Sequence, residues 1–576
     1  MAAVRSLVSP RNTASPVMRP RRRWVVSAIV LSILAILIVL PAGLVLLSAF
    51  STDVPRPGNI TWNLTLDSFS LIATPEVLGA FWNSLLIGVS ASILACAIGT
   101  GLAFLAARTN IPLPGFVYLV GLMPMFLPSY VGALAWSTLG SPVAGLLNIA
   151  QRDLGTSIPL NMYSIPGMIF VFAIYYSPYA FLLVHGAMSM MSPDLEEAAR
   201  VHGATQGRMQ RLISFPLALP AIMGAALLTF ILIFENFPVS QALGTPGGVN
   251  TLPTLIYRLM NTSPSRGNES AAIAVILVAV VLLVTWVQGR IVAKRSYTTV
   301  SGKGVRPKRV SLGAARVPAF IGVLIFFLLS IVLPVLGLVT VAGQATPYLT
   351  SLRQLVAPGG FDLSAFAGVF TSPRVLDASV NSLVVSVTTA LIGVALAFIC
   401  AYIVYRTKAA GKEFIEGVTM IPLAIPAVVL AIGLLWTWLI LPVPLYGTIM
   451  VLVVAFLAVQ APQGYRGIAA SMLATDRDLE DSAVILGASR FTAITKITAP
   501  LMKMGLLSTF LLLLMLSMRE LTVPIFLNTG NAEILSIAIY DAFETGGALR
   551  EAAALSVFYV ALMMILSYIP RRLVRA

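Results

Sequence analysis

Apolar residues run along this chain in long unbroken stretches, not at period two and not as narrow amphipathic stripes. Twelve such stretches fall at roughly 24–50, 79–107, 115–140, 165–190, 217–243, 270–291, 317–342, 378–404, 414–441, 446–473, 501–527 and 552–569. Each is long enough to cross a hydrocarbon core of about 30 Å, which takes ~20 helical residues. Backbone in lipid must satisfy its own hydrogen bonds, so all twelve are predicted helices and the expected class is all-α integral membrane.

Between these stretches one polar segment occurs twice. Glu197-Ala198-Ala199-Arg200-Val201-His202-Gly203, with Ile213 and Pro216 after it, returns 284 residues later as Asp481-Ser482-Ala483-Val484-Ile485-Leu486-Gly487, with Ile497 and Pro500. Ser192-Pro193-Asp194-Leu195-Glu196 has the composition of a helix start: a hydroxyl cap, proline at the first position, then acids where the helix dipole favours them. Asp476-Arg477-Asp478-Leu479-Glu480 repeats the acidic start without the proline. A short helix is expected in each, ended by Gly203 or Gly487, since glycine takes the left-handed C-cap without strain. Ala198, Ala199 and Ala483 leave a face of low relief, and Pro216 and Pro500 mark the start of the next stretch.

Other correspondences extend the duplication. Asn83-Ser84-Leu85 answers Asn381-Ser382-Leu383, and Pro124 with Pro128 answers Pro422 with Pro426. The offset falls from 298 to 284 between Asn83/Asn381 and Pro178/Pro462, which places a deletion in the connection after the ninth stretch, where 441–444 replaces the longer 141–164. Two parallel six-helix repeats are expected, related by an axis along the membrane normal because each holds an even number of spans. The predicted boundaries are a basic N-terminus at 1–23, a first repeat at 24–291, a basic linker at 292–316, a second repeat at 317–570 and a tail at 571–576. Asn83 and Asn381 are expected to cap their own helices, and the two proline pairs to kink the third and ninth spans.

Composition adds the class of environment: 58% hydrophobic residues, 10% charged, and a mean hydropathy of +0.93 exclude a soluble surface. The net charge of +15 is a signal of orientation. Of 37 Lys and Arg, only Arg56, Arg152, Arg258, Arg266, Arg353, Arg374 and Arg550 fall in connections on one side, and Arg519 lies within a stretch. The positive-inside rule then puts both termini, the linker and both repeated loops in the cytoplasm, and it leaves no need for a nucleic-acid partner. The first apolar run is about twice a signal-peptide core and is expected to be retained. Cys96 and Cys400 sit in apolar stretches and have no metal-ligand spacing.

The spacing Glu-Ala-Ala, three residues, Gly, nine residues, Ile, two residues, Pro resembles the loop signature of ABC importer permeases that work with a substrate-binding protein. The first copy matches throughout; the second carries Asp481 for Glu and Ser482 for Ala. The resemblance implies the type I importer permease fold, with the short helices as coupling helices on two copies of a cytoplasmic ABC ATPase. It assigns coupling to Glu196, Glu197, Ala198, Ala199, Gly203, Glu480, Asp481, Ala483 and Gly487. It also implies an extracytoplasmic binding protein, a bacterial inner-membrane location, and ATP and Mg used by the partner, with no cofactor on this chain. No phosphate-binding G-x-x-x-x-G-K-[ST] loop, H-E-x-x-H motif or catalytic triad occurs here, so no enzymatic role is expected.

Ionisable groups inside spans are expensive and point to a path. Glu235 in the fifth stretch and Arg519-Glu520 at matching depth in the eleventh are the candidates for a gate or an interhelical ion pair. Tyr176 and Gln460, with Tyr175 and Gln463, flank Pro178 and Pro462 and are candidates for lining a cavity or joining helices. The segments from Phe234 to Tyr257 and from Arg519 to Tyr540 resemble the ferric-iron branch of these permeases, and fused chains of this length are common there. Thiamine, phosphonate and polyamine permeases are built alike. An ion-coupled secondary transporter is the competing class, for which coupling carboxylates or broken helices at midplane are expected, and none stands out in the sequence.

Overall fold

A computed structural model describes residues 20–575 except 59, 61, 157, 192–193, 295–308, 347, 531 and 545–547. Among the described residues the chain is helical, with three isolated β-bridges and no strand. Among the described residues nine helices are long and apolar enough to cross a membrane, or up to twelve if three bent pairs each count as one span. In the first part these are α1 (Val25–Ala49), α2 (Pro75–Arg108), the bent pair α3 (Pro114–Phe126) and α4 (Ser129–Gly140), and α5 (Ile165–Ser189). The loop helix α6 (Asp194–Val201), α7 (Gln206–Phe234), the short α8 (Leu252–Met260) and α9 (Gly267–Ile291) follow.

After the linker come α10 (Gly313–Gly343), α11 (Pro373–Arg406), the bent pair α12 (Lys412–Leu423) and α13 (Ala427–Ile440), and α14 (Ile449–Leu473). The loop helix α15 (Asp478–Ile485) leads to the bent pair α16 (Arg490–Leu501) and α17 (Lys503–Met518). The chain ends through α18 (Thr522–Leu527), α19 (Leu535–Glu544) and α20 (Leu549–Leu566). All twelve apolar stretches therefore meet helix, and the corrections concern where helices break. At Pro124–Pro128 and Pro422–Pro426 the expected kinks are full breaks, with turns of 92° and 112°. The fifth stretch ends at Phe234 instead of running to 243, and the eleventh breaks again at Arg519-Glu520.

Proline explains another regularity. The five π turns among the described residues, at 35–39, 210–214, 240–244, 328–332 and 494–498, each end two residues before a proline: Pro41, Pro216, Pro246, Pro334 and Pro500. A proline has no N–H to donate, and its ring presses on the carbonyl four residues back, which here lies in the widened turn.

The parts before and after the linker interlock. Helix α1 packs on α13, and α10 packs on α4. Gly433 on α13 admits this approach, because a Cβ there would stand 2.3 Å from the Pro41 carbonyl oxygen. Most of the basic linker lies outside the described residues, but its end is tied down. Val310 donates to the Arg108 carbonyl at 2.6 Å and accepts from the Asn110 N–H at 3.0 Å, so the linker's end lies along the end of α2.

Candidate functional site

The two loop helices form as expected and end alike. Gly203 and Gly487 take φ +79° and +96°, the region that glycine enters without a Cβ clash. Gly203 donates to the Arg200 carbonyl and Ala204 to Ala199; Gly487 donates to Val484 and Ala488 to Ala483. This is the Schellman pattern, built twice. The expected start at Ser192-Pro193 lies outside the described residues. Glu197 is exposed, as are Val201 at 85% and its counterpart Ile485 at 84%. Leu486 and Phe491 add to the apolar surface beside α15.

Glu196 and Glu480, at 3% exposure each, point into the bundle, unlike the exposed Glu197. Ser214 donates to Glu196 at 2.7 Å and Thr498 donates to Glu480 at 2.9 Å, each hydroxyl eighteen residues after its carboxylate. Glu196 also pairs with Arg108, which is 1% exposed at the end of α2. Arg406 ends α11 in the same way but donates instead to the carbonyls of Met472 and Thr475, at 3.0 and 2.5 Å. Tyr402 takes its place at Glu480, and the half-exposed Arg490 stands 3.9 Å away. Charged groups this deep require partners, so the acids hold each loop helix against the bundle. Arg108 and Arg406 were missed in the sequence, although they recur at the same 298-residue offset as Asn83 and Asn381.

The candidate path residues gather at the helix breaks. Glu235 is the C-cap residue of α7, and Arg519 is that of α17. No ion pair joins Arg519 to either glutamate among the described residues, so the expected interhelical pair is absent. Arg519 instead donates to the Met125 carbonyl at 3.1 Å, joining the break of α17–α18 to the break of α3–α4 across the two parts. Glu520 accepts from the Thr522 N–H at 2.9 Å and so caps α18. Tyr176 accepts from Asn236, the neighbour of Glu235, at 2.5 Å. Gln460 and the Ser517 hydroxyl are hydrogen-bonded at 3.1 Å, which joins α14 to α17. Glu235, Tyr176 and Arg519 thus stand at a seam between broken helices, while Gln460 serves as a helix-to-helix tie.

At the end opposite the loops, Asn83 and Asn381 are not N-caps of their own helices, which begin at Pro75 and Pro373. They lie two turns inside and hold the short helices α8 and α19. Asn83 donates to the Asn250 carbonyl and Asn381 to that of Glu533, both at 3.0 Å. Ser84 accepts from the Leu252 N–H and Ser382 from the Leu535 N–H, both at 2.8 Å, so each serine supplies a partner for a helix-start amide on another element. The helices so fixed bring Tyr257 and Tyr540 together, with 3.5 Å between their oxygens. Burial raises both phenols above their ordinary value. Burial likewise raises the nearby carboxyls of Asp541 and Glu544, against the pull of Arg374 on the first and of a Gln241 hydrogen bond on the second.

A family model described as binding-protein-dependent transport system inner membrane component matches residues 99–297 and again 393–576. The chain is 23% identical over 467 residues to the ferric transport system permease protein FbpB of Actinobacillus pleuropneumoniae; the match covers 81% of this chain and 66% of that protein, just under two thirds of its length. It is 22% identical over 532 residues to the probable ABC transporter permease protein y4fN of Sinorhizobium fredii, covering 91% of each. A solved bacterial ABC transporter involved in the import of the acidic polysaccharide alginate is similar at 20% identity and a TM-score of 0.40, over 48% of this chain and 97% of that one.

Proposed function

Because the chain belongs to the family of binding-protein-dependent transport system inner membrane components, we propose that it is the membrane-spanning subunit of an ATP-driven importer whose two six-helix units, at 24–291 and 317–570, lie in one polypeptide. Both termini and the loops at α6 and α15 face the cytoplasm in this reading. Each loop receives one copy of a separate ABC ATPase, which hydrolyses ATP with Mg; this chain binds no nucleotide. The observation that carries the reading is the doubled loop. Each copy has an acid buried at its root, a Schellman end, and an apolar residue, Val201 or Ile485, left exposed among the described residues. Exposed apolar groups on a helix braced from beneath are suited to passing on a partner's displacement.

Transport is then a shift between two arrangements of the interlocked parts. An extracytoplasmic binding protein delivers its cargo at the end that carries α8 and α19, and ATP binding at the loop end favours the arrangement open to it. Each partner must prefer one arrangement for the two ends to be linked. Ferric iron is the cargo we favour, on the strength of the FbpB relative at 23% identity and the two matching segments around Glu235 and Glu520. Thiamine, phosphonate and polyamine are the alternatives within the same machine.

The breaks at Glu235 and Arg519-Glu520 also suit an ion-coupled secondary transporter, so energy source is the deciding test. The chain is reconstituted in liposomes with and without its ATPase, and uptake from the loaded binding protein is followed. ATP-dependent uptake is expected; uptake driven by an ion gradient through the chain alone would overturn the proposal.

A further inference from the structure

The two tyrosines that meet between α8 and α19 belong to a wider set of oxygen donors. Tyr257 and Tyr540 follow the same isoleucine in the two recurring segments, and their hydroxyl oxygens stand 3.5 Å apart, close enough for one ion to bridge. Tyr130 on α4 lies against Tyr540 with ring centroids 5.8 Å apart. Its side chain is 4% exposed, yet its hydroxyl has no hydrogen-bond partner among the described residues. A buried hydroxyl left unpaired is a cost that a native structure keeps only for a reason. Glu544 lies one helical turn beyond Tyr540, on the same face of α19.

We propose that Tyr130, Tyr257, Tyr540 and Glu544 form a waiting site for a hard trivalent cation at the closed outer mouth. The inference rests on the ferric reading and gives it a place. Every donor is a phenol or carboxylate oxygen, the set that hard ions prefer over thiolate or imidazole. The two histidines are elsewhere: His185 lies against Tyr118 and Phe181, and His202 is in the loop at the other end. Among the described residues no three His, Cys, Asp or Glu side chains cluster as metal ligands, and here tyrosine supplies the remaining oxygens. Two nearby cations are already engaged: Arg374 by Glu533 at 2.8 Å and by Asp541 at 3.4 Å, and Arg258, next to Tyr257, by Glu76.

The site is single although the chain is duplicated. At the offset of 298 the counterpart of Tyr130 is Val428, and at the offset of 283 that relates Tyr257 to Tyr540 the counterpart of Glu544 is Asn261, so the set of four donor residues occurs once. Beneath it Phe237 and Phe526 pack on the Tyr257 ring, with centroids 5.0 and 5.5 Å away. This apolar layer separates the mouth from the seam at Glu235 and Arg519, so an ion held above it advances only when the parts separate. Ligation replaces each phenolic proton, which leaves to solvent.

The test uses the complex of permease and ATPase in nanodiscs, without binding protein, and ferric nitrilotriacetate as the probe. A visible phenolate-to-Fe(III) charge-transfer band is expected in the wild type. Tyr257→Phe with Tyr540→Phe should abolish it, and Glu544→Gln should weaken ferric binding at least about tenfold. Retention of the ATPase on gel filtration verifies that each variant is folded. Iron uptake in proteoliposomes should fall in parallel. No band in the wild type, or a band unchanged in the double variant, overturns the site while wild-type iron uptake leaves the ferric reading standing. A wild type that takes up no iron from an iron-loaded binding protein overturns both.

Discussion

Glu196 is ion-paired with Arg108 inside the bundle, whereas Glu480, its counterpart 284 residues on, is held by the hydroxyls of Tyr402 and Thr498. One loop root is therefore charged on both sides and the other is mostly neutral on the bundle side. The second loop is also the one whose signature departs from the family pattern, with Asp481 and Ser482. The two loop roots are built to one plan from different chemistry, and substitutions should reveal the difference.

Glu196→Gln strands Arg108 at 1% exposure, where an unpaired guanidinium has no access to water. Breaking such a pair costs about 3–5 kcal/mol. Glu480→Gln leaves hydroxyl donors that an amide oxygen still accepts, at a cost of about 1–3 kcal/mol. Thermal unfolding of the purified protein should therefore show the larger drop in midpoint for Glu196→Gln. Arg108→Leu combined with Glu196→Leu should recover part of the loss, because no charge is then left buried.

Gly203→Pro with Gly487→Pro removes both Schellman ends. Proline holds φ near −65°, against +79° and +96° here, and it lacks the N–H that meets Arg200 or Val484. ATP hydrolysis by the assembled complex should persist while substrate uptake is lost. Full uptake in the double variant would remove these turns from the coupling route.

Ser84→Ala and Ser382→Ala each free one amide at the start of α8 or α19. Loss of such a cap is worth about 1 kcal/mol. Hydrogen exchange at Leu252 and Leu535 should quicken by roughly fivefold in the respective variants, with little change in the long helices. Equal protection in both variants would mean that the Asn83 and Asn381 amides suffice alone.

Arg519→Met breaks the bond to the Met125 carbonyl that joins the two parts. Hydrogen bonds from charged donors contribute about 1.5–3 kcal/mol, enough to shift a two-state population at least about tenfold. ATP hydrolysis in the absence of binding protein should rise accordingly in the reconstituted complex. Unchanged hydrolysis would leave Arg519 as a packing tie.

Much of the architecture was legible because lipid imposes one rule on every span: the backbone must be helical and the side chains apolar. The apolar stretches, the loop helices and their glycine ends follow from residues read a turn or two at a time. What could not be read that way was the meaning of an isolated polar group. Asn83 looks like a cap for its own helix and instead holds the start of α8, 167 residues away. Glu196 looks like surface beside Glu197, and only the arrival of Arg108 from 88 residues earlier makes its burial tolerable.

By itself, then, the sequence determined which segments are helical, which recur and where the short loops end, since those properties depend on local periodicity and on the φ range open to glycine and proline. Tertiary structure decided where the spans break, which acid faces inward, and that Arg519 seeks a carbonyl and not a carboxylate. The physical reason is that a polar side chain in a low-dielectric interior is defined by its partner, and those partners come from helices that only the assembled bundle brings within reach.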